Sequence, residues 1–210
     1  EREDFKDDSQ SLIIFSLYDY LIGTKEISSN CKWILNQMER NLDQRQVVIL
    51  LPIQLLAETD HGKEMNELIE NIRGIRKGLQ VYYLPSIFGP WQPETFLFQK
   101  SLLNILNEER EENGINEWKM DAIFVEDAVK TLIYNIESEV EGHFLLESGV
   151  SNQWDACADL LKIDQPFRQG TRDEDFILSD QIIRLPVKTV TPISEAISKQ
   201  KKHVEYLSII

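Results

Sequence analysis

The chain reads as an α/β protein built on a parallel sheet. Three short apolar runs, Leu12 to Leu17, Gln46 to Pro52 and Leu79 to Leu84, are separated by two stretches of helical periodicity. Strand–helix–strand order of this kind predicts right-handed crossovers between parallel neighbours. The run from Gln46 is continuously apolar rather than alternating, which suits a strand covered on both faces.

Taken in order, Leu12 to Leu17 is short and rich in Ile, and reads as a buried strand. From Glu26 to Asn41 the residues Ile27, Cys31, Ile34, Met38 and Leu42 recur at helical spacing and form one apolar stripe. The run from Gln46 is closed by Pro52. A second helix is expected over 60–77, with Met65, Leu68, Ile69, Ile72 and Ile75 on one side and Gly78 as its stop. Leu79 to Leu84 is the next strand, and Pro85 to Pro90 the loop leaving it.

Beyond Trp91 the regularity breaks. Glu94 to Glu112 reads as a helix with a polar, solvated end, and Met120 to Val125 as a short strand leading into a helix from Glu126 to Ile136. His143 to Leu146 is another strand. Ser151 stands where it can cap a helix running to Leu161. The stretch 164–180 is polar and reads as loop. Thr191-Pro192 opens a final helix, with threonine as N-cap and proline at the first helical position. Residues 1–90 and 120–150 are expected to form the core, and 91–119 with 151–210 a small lobe.

Length and composition fit one globular core: 210 residues, 42% hydrophobic and 28% charged. A formal net charge of -14 argues against non-specific binding to nucleic acid or anionic membrane. Cys31 and Cys157 lie far apart without metal-like spacing, so a reduced, cytoplasmic protein is expected. Ser11 to Leu17 is too short to span a bilayer, and its acidic flanks do not suit a signal peptide. The chain opens at Glu1 rather than at methionine, so a preceding segment is expected to exist or to have been removed.

Five motifs stand in order along the chain. They are Asn30 to Met38, Glu58 to Glu67 around Lys63, Tyr83-Leu84-Pro85-Ser86-Ile87-Phe88-Gly89-Pro90, Asp121 to Ala128, and Thr191 to Ala196. Together they resemble the extended short-chain dehydrogenase/reductase family, the NAD-dependent epimerase/dehydratase group that acts on nucleotide sugars. The resemblance implies a Rossmann-like parallel sheet, incomplete in its N-terminal half, with a small C-terminal lobe. It places Asn30 and Lys63 at catalytic positions, with Thr59 where the family has its tyrosine. By family position alone, Leu51, Pro52, Lys63, Pro85, Ser86 and Ile87 would border a cofactor. It also implies a homodimer through helices 26–42 and 60–77, which solution scattering showing only monomer at high concentration would refute. A small-molecule or nucleotide-sugar ligand follows from the same resemblance; nucleic acid, membrane and metal do not.

The departures from that pattern bear directly on function. A phenol can exchange a proton near neutral pH when an ammonium lowers its pKa, whereas the aliphatic hydroxyl of Thr59 cannot. The serine expected at the end of the strand from Gln46 is replaced by Leu51 and Pro52. Leu84 stands for the family's arginine and Phe88 for its tyrosine. The first strand corresponds to the family's fourth, and no G-x-x-G-x-x-G loop is present to meet a pyrophosphate. The expected function is therefore a catalytically inactive relative kept as a binding or assembly module, with no cofactor for the chain as it stands. The alternative is a working NAD- or NADP-dependent epimerase, dehydratase or reductase whose glycine-rich loop lies upstream.

Other polar residues have plain readings beside functional ones. Lys63 could orient a ribose or be a solvated helix lysine, Thr59 could cap its helix, and Asn30 could cap local backbone. His61 lies two residues before Lys63 and so points to another side of the helix. His143 and His203 lack companions at ligand spacing. Asp121, Glu126 and Asp127 suit a strand edge and a helix start better than an acid–base pair. Trp91, Trp118 and Trp154 are expected to pack in the interior. No Ser-His-Asp spacing or phosphate loop appears.

Overall fold

The computed structural model describes residues 12–18, 46–57, 59–75, 78–103, 117–168 and 180–207. In chain order the elements are β1 (Leu12–Ser16), β2 (Gln46–Pro52), α1 (Asp60–Ile75), β3 (Leu79–Leu84), β4 (Ser86–Phe88) and α2 (Leu97–Leu102). They continue with β5 (Ala122–Phe124), α3 (Val125–Ile136), β6 (Gly142–Glu147), α4 (Gln153–Leu160), β7 (Ile182–Pro186) and α5 (Ile193–Leu207). The main sheet has the order β1-β2-β3-β6-β7, and every neighbouring pair is parallel. β4 and β5 pair separately, also in parallel.

Because successive strand residues face opposite sides, the apolar runs of β2 and β3 feed two cores at once. Val47, Ile49, Leu51, Val81 and Tyr83 pack with Met65, Leu68, Ile69 and Ile72 of α1. Val48, Tyr82, Phe144 and Leu146 face the other way, onto Ala128, Leu132 and Ile136 of α3. A third cluster joins the small sheet to the remaining helices, with Phe88, Phe124, Phe98, Trp154, Cys157, Ala196 and Ile197. The α/β fold and the parallel sheet are those that the sequence predicts.

The apolar stripe of α1 is thus used against the chain's own sheet, and Lys63, Glu64, Glu67 and Glu70 face outward. Gly62 sits where this helix crosses the 3-10 turn Ile53–Leu56 that follows β2. A β-carbon there would lie 2.3 Å from the Ala57 carbonyl oxygen and 2.9 Å from that of Leu55. Neither backbone group can rotate away, so Gly62→Ala is expected to cost about 2 kcal/mol, the middle of the range for overpacking. Urea denaturation measures it; a loss below about 0.5 kcal/mol would mean that the crossing gives way freely.

Several expectations need correction. β1 is not buried: Leu12 is 42% and Ile14 50% exposed, because β1 is the edge strand of the described sheet. An apolar run does not by itself tell a central strand from an edge one. The loop Pro85 to Pro90 contains β4, Ser86–Phe88, which is followed by Gly89 with φ +133. Of the helix expected over Glu94 to Glu112, the described part is α2, and 104–116 lie outside the described residues. The polar stretch 164–180 includes a 3-10 turn, Gln165–Arg168. β7 was not foreseen; it comes from the tail after Ser151 yet hydrogen-bonds in the main sheet beside β6.

Two caps differ as well. Asn152, in the left-handed region at φ 58, takes the N-cap position of α4 in place of Ser151 and makes no side-chain cap bond. Thr191 does not cap α5. Its N–H and hydroxyl both donate to the Asp127 carboxylate, at 2.7 and 2.9 Å, while the Pro192 carbonyl accepts from Glu195 and Ala196. A buried carboxylate competes successfully for a hydroxyl that would otherwise turn to its own helix. Trp154 is fully buried, as expected, but Trp91 is 76% exposed. Among the described residues no helix is long and apolar enough to cross a membrane. Asn30, Cys31 and the helix expected over 26–42 lie outside the described residues, as does the side chain of His61.

Candidate functional site

In open parallel sheets the carboxyl ends of the strands form the natural crevice for a ligand. Here that edge is made by Leu17 and Tyr18 after β1, by Pro52 and the turn Ile53–Leu56 after β2, and by Pro85, Ser86 and Ile87 after β3. Tyr18 was not anticipated and ties the edge together. Its hydroxyl donates to the Pro85 carbonyl at 2.8 Å and accepts the Ile87 N–H at 2.8 Å. Ser86 is buried, and its hydroxyl donates to the Trp118 carbonyl at 2.7 Å. Leu51 is fully buried and Pro52 is buried; neither carries a hydroxyl.

The resemblance placed a cofactor against these residues, and the donors and acceptors they present fit one poorly. Pro52 and Pro85 have no N–H. The Ile87 N–H, the Pro85 carbonyl and the Ser86 hydroxyl are all engaged within the chain. A ligand here would meet mostly apolar surface.

Thr59 and Lys63 belong to the start of α1. The Thr59 hydroxyl accepts the Gly62 N–H at 3.1 Å, and its carbonyl accepts the Lys63 N–H at 3.0 Å. That is an N-cap contact to the third helical residue. Lys63 is exposed. At 3.6 residues per turn it stands about 180° around the helix from Ile72, away from the stripe that meets the sheet.

The three carboxylates singled out in the sequence do not converge. Asp121 accepts the Ala122 N–H at 2.8 Å and the Ser148 N–H at 2.7 Å, clasping the start of β5 to the end of β6. Burial raises its pKa, and the hydrogen bonds from Ser148 and Ala122 oppose that rise. Asp127 holds Thr191, and Glu126 accepts from Lys199 at 3.0 Å near the surface. Cys157, close to Asp121, has its thiol pushed up to about 12 by burial and then by that carboxylate, so it is not a ready nucleophile. Among the described residues no three His, Cys, Asp or Glu side chains gather as a metal site.

Two further polar groupings were not legible beforehand. Arg73 donates to Nε2 of His143 and, at 2.5 Å, to Glu70. Because a guanidinium can only donate, Nε2 must accept, which leaves Nδ1 as an N–H facing the Tyr83 hydroxyl at 3.2 Å. Burial and then the Arg73 charge lower the His143 pKa, with the Glu70 charge opposing. Burial pushes the Tyr83 phenol up to about 12 against the pull of Arg73. In the third cluster, Glu117 is buried with its carboxylate between the Leu97 N–H, at the start of α2, and Trp154 Nε1 at 3.1 Å. Burial pushes it up to about 7, while those two donors and the Lys100 charge resist.

No protein-family model matches the chain, and neither does any curated protein. Solved structures do. One is TunA, a NAD-dependent NDP-hexosamine 5,6-dehydratase involved in tunicamycin biosynthesis, with 12% identity and a TM-score of 0.55. The match covers 95% of this chain and 78% of TunA. Another is MoeE5 in complex with UDP-glucose and NAD, at 12% identity and a TM-score of 0.54, covering 87% of this chain and 71% of MoeE5. At such identity the likeness is one of fold, and that fold is the Rossmann-like α/β architecture expected from the sequence.

Proposed function

We propose that this chain is an epimerase/dehydratase-like Rossmann protein that performs no hydride chemistry and serves as a binding or assembly module. One observation carries the reading. The hydroxyl four residues before Lys63 belongs to threonine and is committed to capping α1, while Lys63 faces outward. An aliphatic hydroxyl bound in a cap offers no proton relay, and a complete cofactor site elsewhere does not restore the missing phenol. Leu51 and Pro52, with the internally satisfied groups of Pro85, Ser86 and Ile87, support the same conclusion.

Assembly would be homodimeric and would engage α1 by its polar outward side, since its apolar stripe is buried on its own sheet. Calorimetric titration with NAD and with NADP is expected to give no binding heat. A micromolar affinity for either would overturn the inactive reading. It would favour instead a NAD-dependent epimerase, dehydratase or reductase acting on nucleotide sugars. The fold shared with TunA and with MoeE5, seen with UDP-glucose and NAD, supports that second reading. It further requires a G-x-x-G-x-x-G sequence upstream of Glu1 in the coding sequence.

A further inference from the structure

The imidazole of His143 ties the last turn of α1 to the sheet, and the tie holds only while the ring lacks its second proton. His143 is the second residue of β6, at the end of the main sheet away from the crevice. Its Nε2 accepts from Arg73 of α1, and its Nδ1 meets the Tyr83 hydroxyl of β3 at 3.2 Å. Both ring nitrogens are therefore in use. A proton added at Nε2 removes the lone pair that Arg73 uses and sets two cations against each other. Turning the ring offers no escape, because both nitrogens are then donors. The Tyr83 contact survives, since Nδ1 is the donor in either state.

The groups around the ring leave Arg73 without a substitute on β6. Among the described residues α1 brings Glu70, which already pairs with Arg73 from one turn before it. β3 brings Tyr83, whose phenol is pushed up to about 12 by burial and so stays a neutral hydroxyl. β7 places uncharged Ile182 beside His143, with exposed Asp180 two residues earlier. Glu141, just ahead of β6, accepts the Gly78 N–H. Burial and the Arg73 charge oppose the second proton, and the Glu70 charge favours it.

We propose that His143 and Arg73 form a proton-operated latch, in which protonation of Nε2 frees Arg73 and lets the last turn of α1 open from β6. The latch is closed above the His143 midpoint and open below it. Ile72 is fully buried against the sheet and holds the helix up to that point. Ile75, beyond it, is 44% exposed, so little burial keeps the final residues in place once Arg73 lets go. Opening is thus confined to Arg73, Gly74 and Ile75. The latch draws on none of the residues that carry the inactive reading, so the two stand or fall separately.

An imidazole NMR titration of the full chain, with amide hydrogen exchange followed along α1 and corrected for its intrinsic pH dependence, tests this. Protection of the Gly74 and Ile75 amides is expected to fall about threefold or more as His143 takes up its proton, while that of Ile69 and Ile72 stays level. In Arg73→Met the proton affinity of His143 is expected to rise about threefold, and the step in protection to disappear. His143→Phe keeps a ring without the titration, so its last turn is expected to exchange fast at every pH. Arg73 is half-exposed, so its variant is expected to fold, and far-ultraviolet circular dichroism checks both. A wild-type chain with no step at the His143 midpoint, or a step that persists in either variant, would overturn the latch.

Discussion

Trp154→Ala is expected to destabilise the fold by about 4 kcal/mol, the middle of the range for removing a buried tryptophan. Its side chain is fully buried and packs at 5.3 Å on Phe98, within the cluster that joins β4, β5, α2, α4 and α5. Among the described residues β4 and β5 pair with each other in a separate sheet, so this packing helps to join them to the helices around them. The indole also donates to Glu117, and alanine would leave that buried carboxylate with one donor fewer. Loss of such a partner costs more than the bond itself contributes, because the stranded group stays desolvated. Trp154→Phe separates the two effects, since it keeps most of the volume and removes only the donor. Urea unfolding of the two variants should therefore give a larger loss for alanine than for phenylalanine. An alanine variant within about 1 kcal/mol of wild type would show that the cluster refills and does not hold these elements together.

How much of this was legible in the sequence depended on whether a residue's role is local. The runs Val47 to Leu51 and Leu79 to Leu84 are apolar at every position because both faces are covered, so their burial was readable. The stripe Met65, Leu68, Ile69 and Ile72 announced α1 for the same reason. Thr59 as a cap was readable from its place one residue ahead of Asp60. β7 was not, because exposed Arg184 interrupts its five residues and its edge position leaves only part of it buried. β4 escaped because three residues between prolines look like a loop until β5 is found beside them, more than thirty residues on. Thr191 was misread since the group that claims it, Asp127, is sixty-four residues away.

The polar groupings share that difficulty. Tyr18 looked like any aromatic past a strand end, and its role exists only because β1 and β3 bring it to Pro85 and Ile87. His143 had no companion in its own sequence neighbourhood; Arg73 and Tyr83 reach it across α1 and β3. Trp91 was expected inside on the usual behaviour of tryptophan, and nothing near it in sequence signalled a left-handed turn. Local periodicity thus gave the scaffold, while the chemistry lay in long-range pairings that a single chain's pattern does not encode.

Glu117 should make the protein less stable as pH rises through neutrality, against the usual trend for carboxylates. Its pKa lies near 4.5 when unperturbed and is pushed up to about 7 in the fold, mainly by burial. The folded state therefore holds the proton more tightly than the unfolded chain. Its contribution is fully present below about pH 4.5 and is lost as pH climbs through about 7. At about 1.4 kcal/mol per pH unit the loss is on the order of 3 kcal/mol. His143 acts in the opposite sense, because its folded pKa is depressed. Its contribution is present above the ordinary histidine value and is lost as pH falls below it, so the raw curve mixes the two. Comparison with Glu117→Gln isolates the carboxyl, since every other titration is common to both chains. The glutamine oxygen can accept from Leu97 or from Trp154 but not from both, so the variant should be the weaker protein near pH 5. By pH 8 wild type carries a buried charge and glutamine does not, so the gap should narrow by about 3 kcal/mol and can invert. Unfolding free energies that differ by the same amount at pH 5 and pH 8 would mean that Glu117 does not titrate in a buried site.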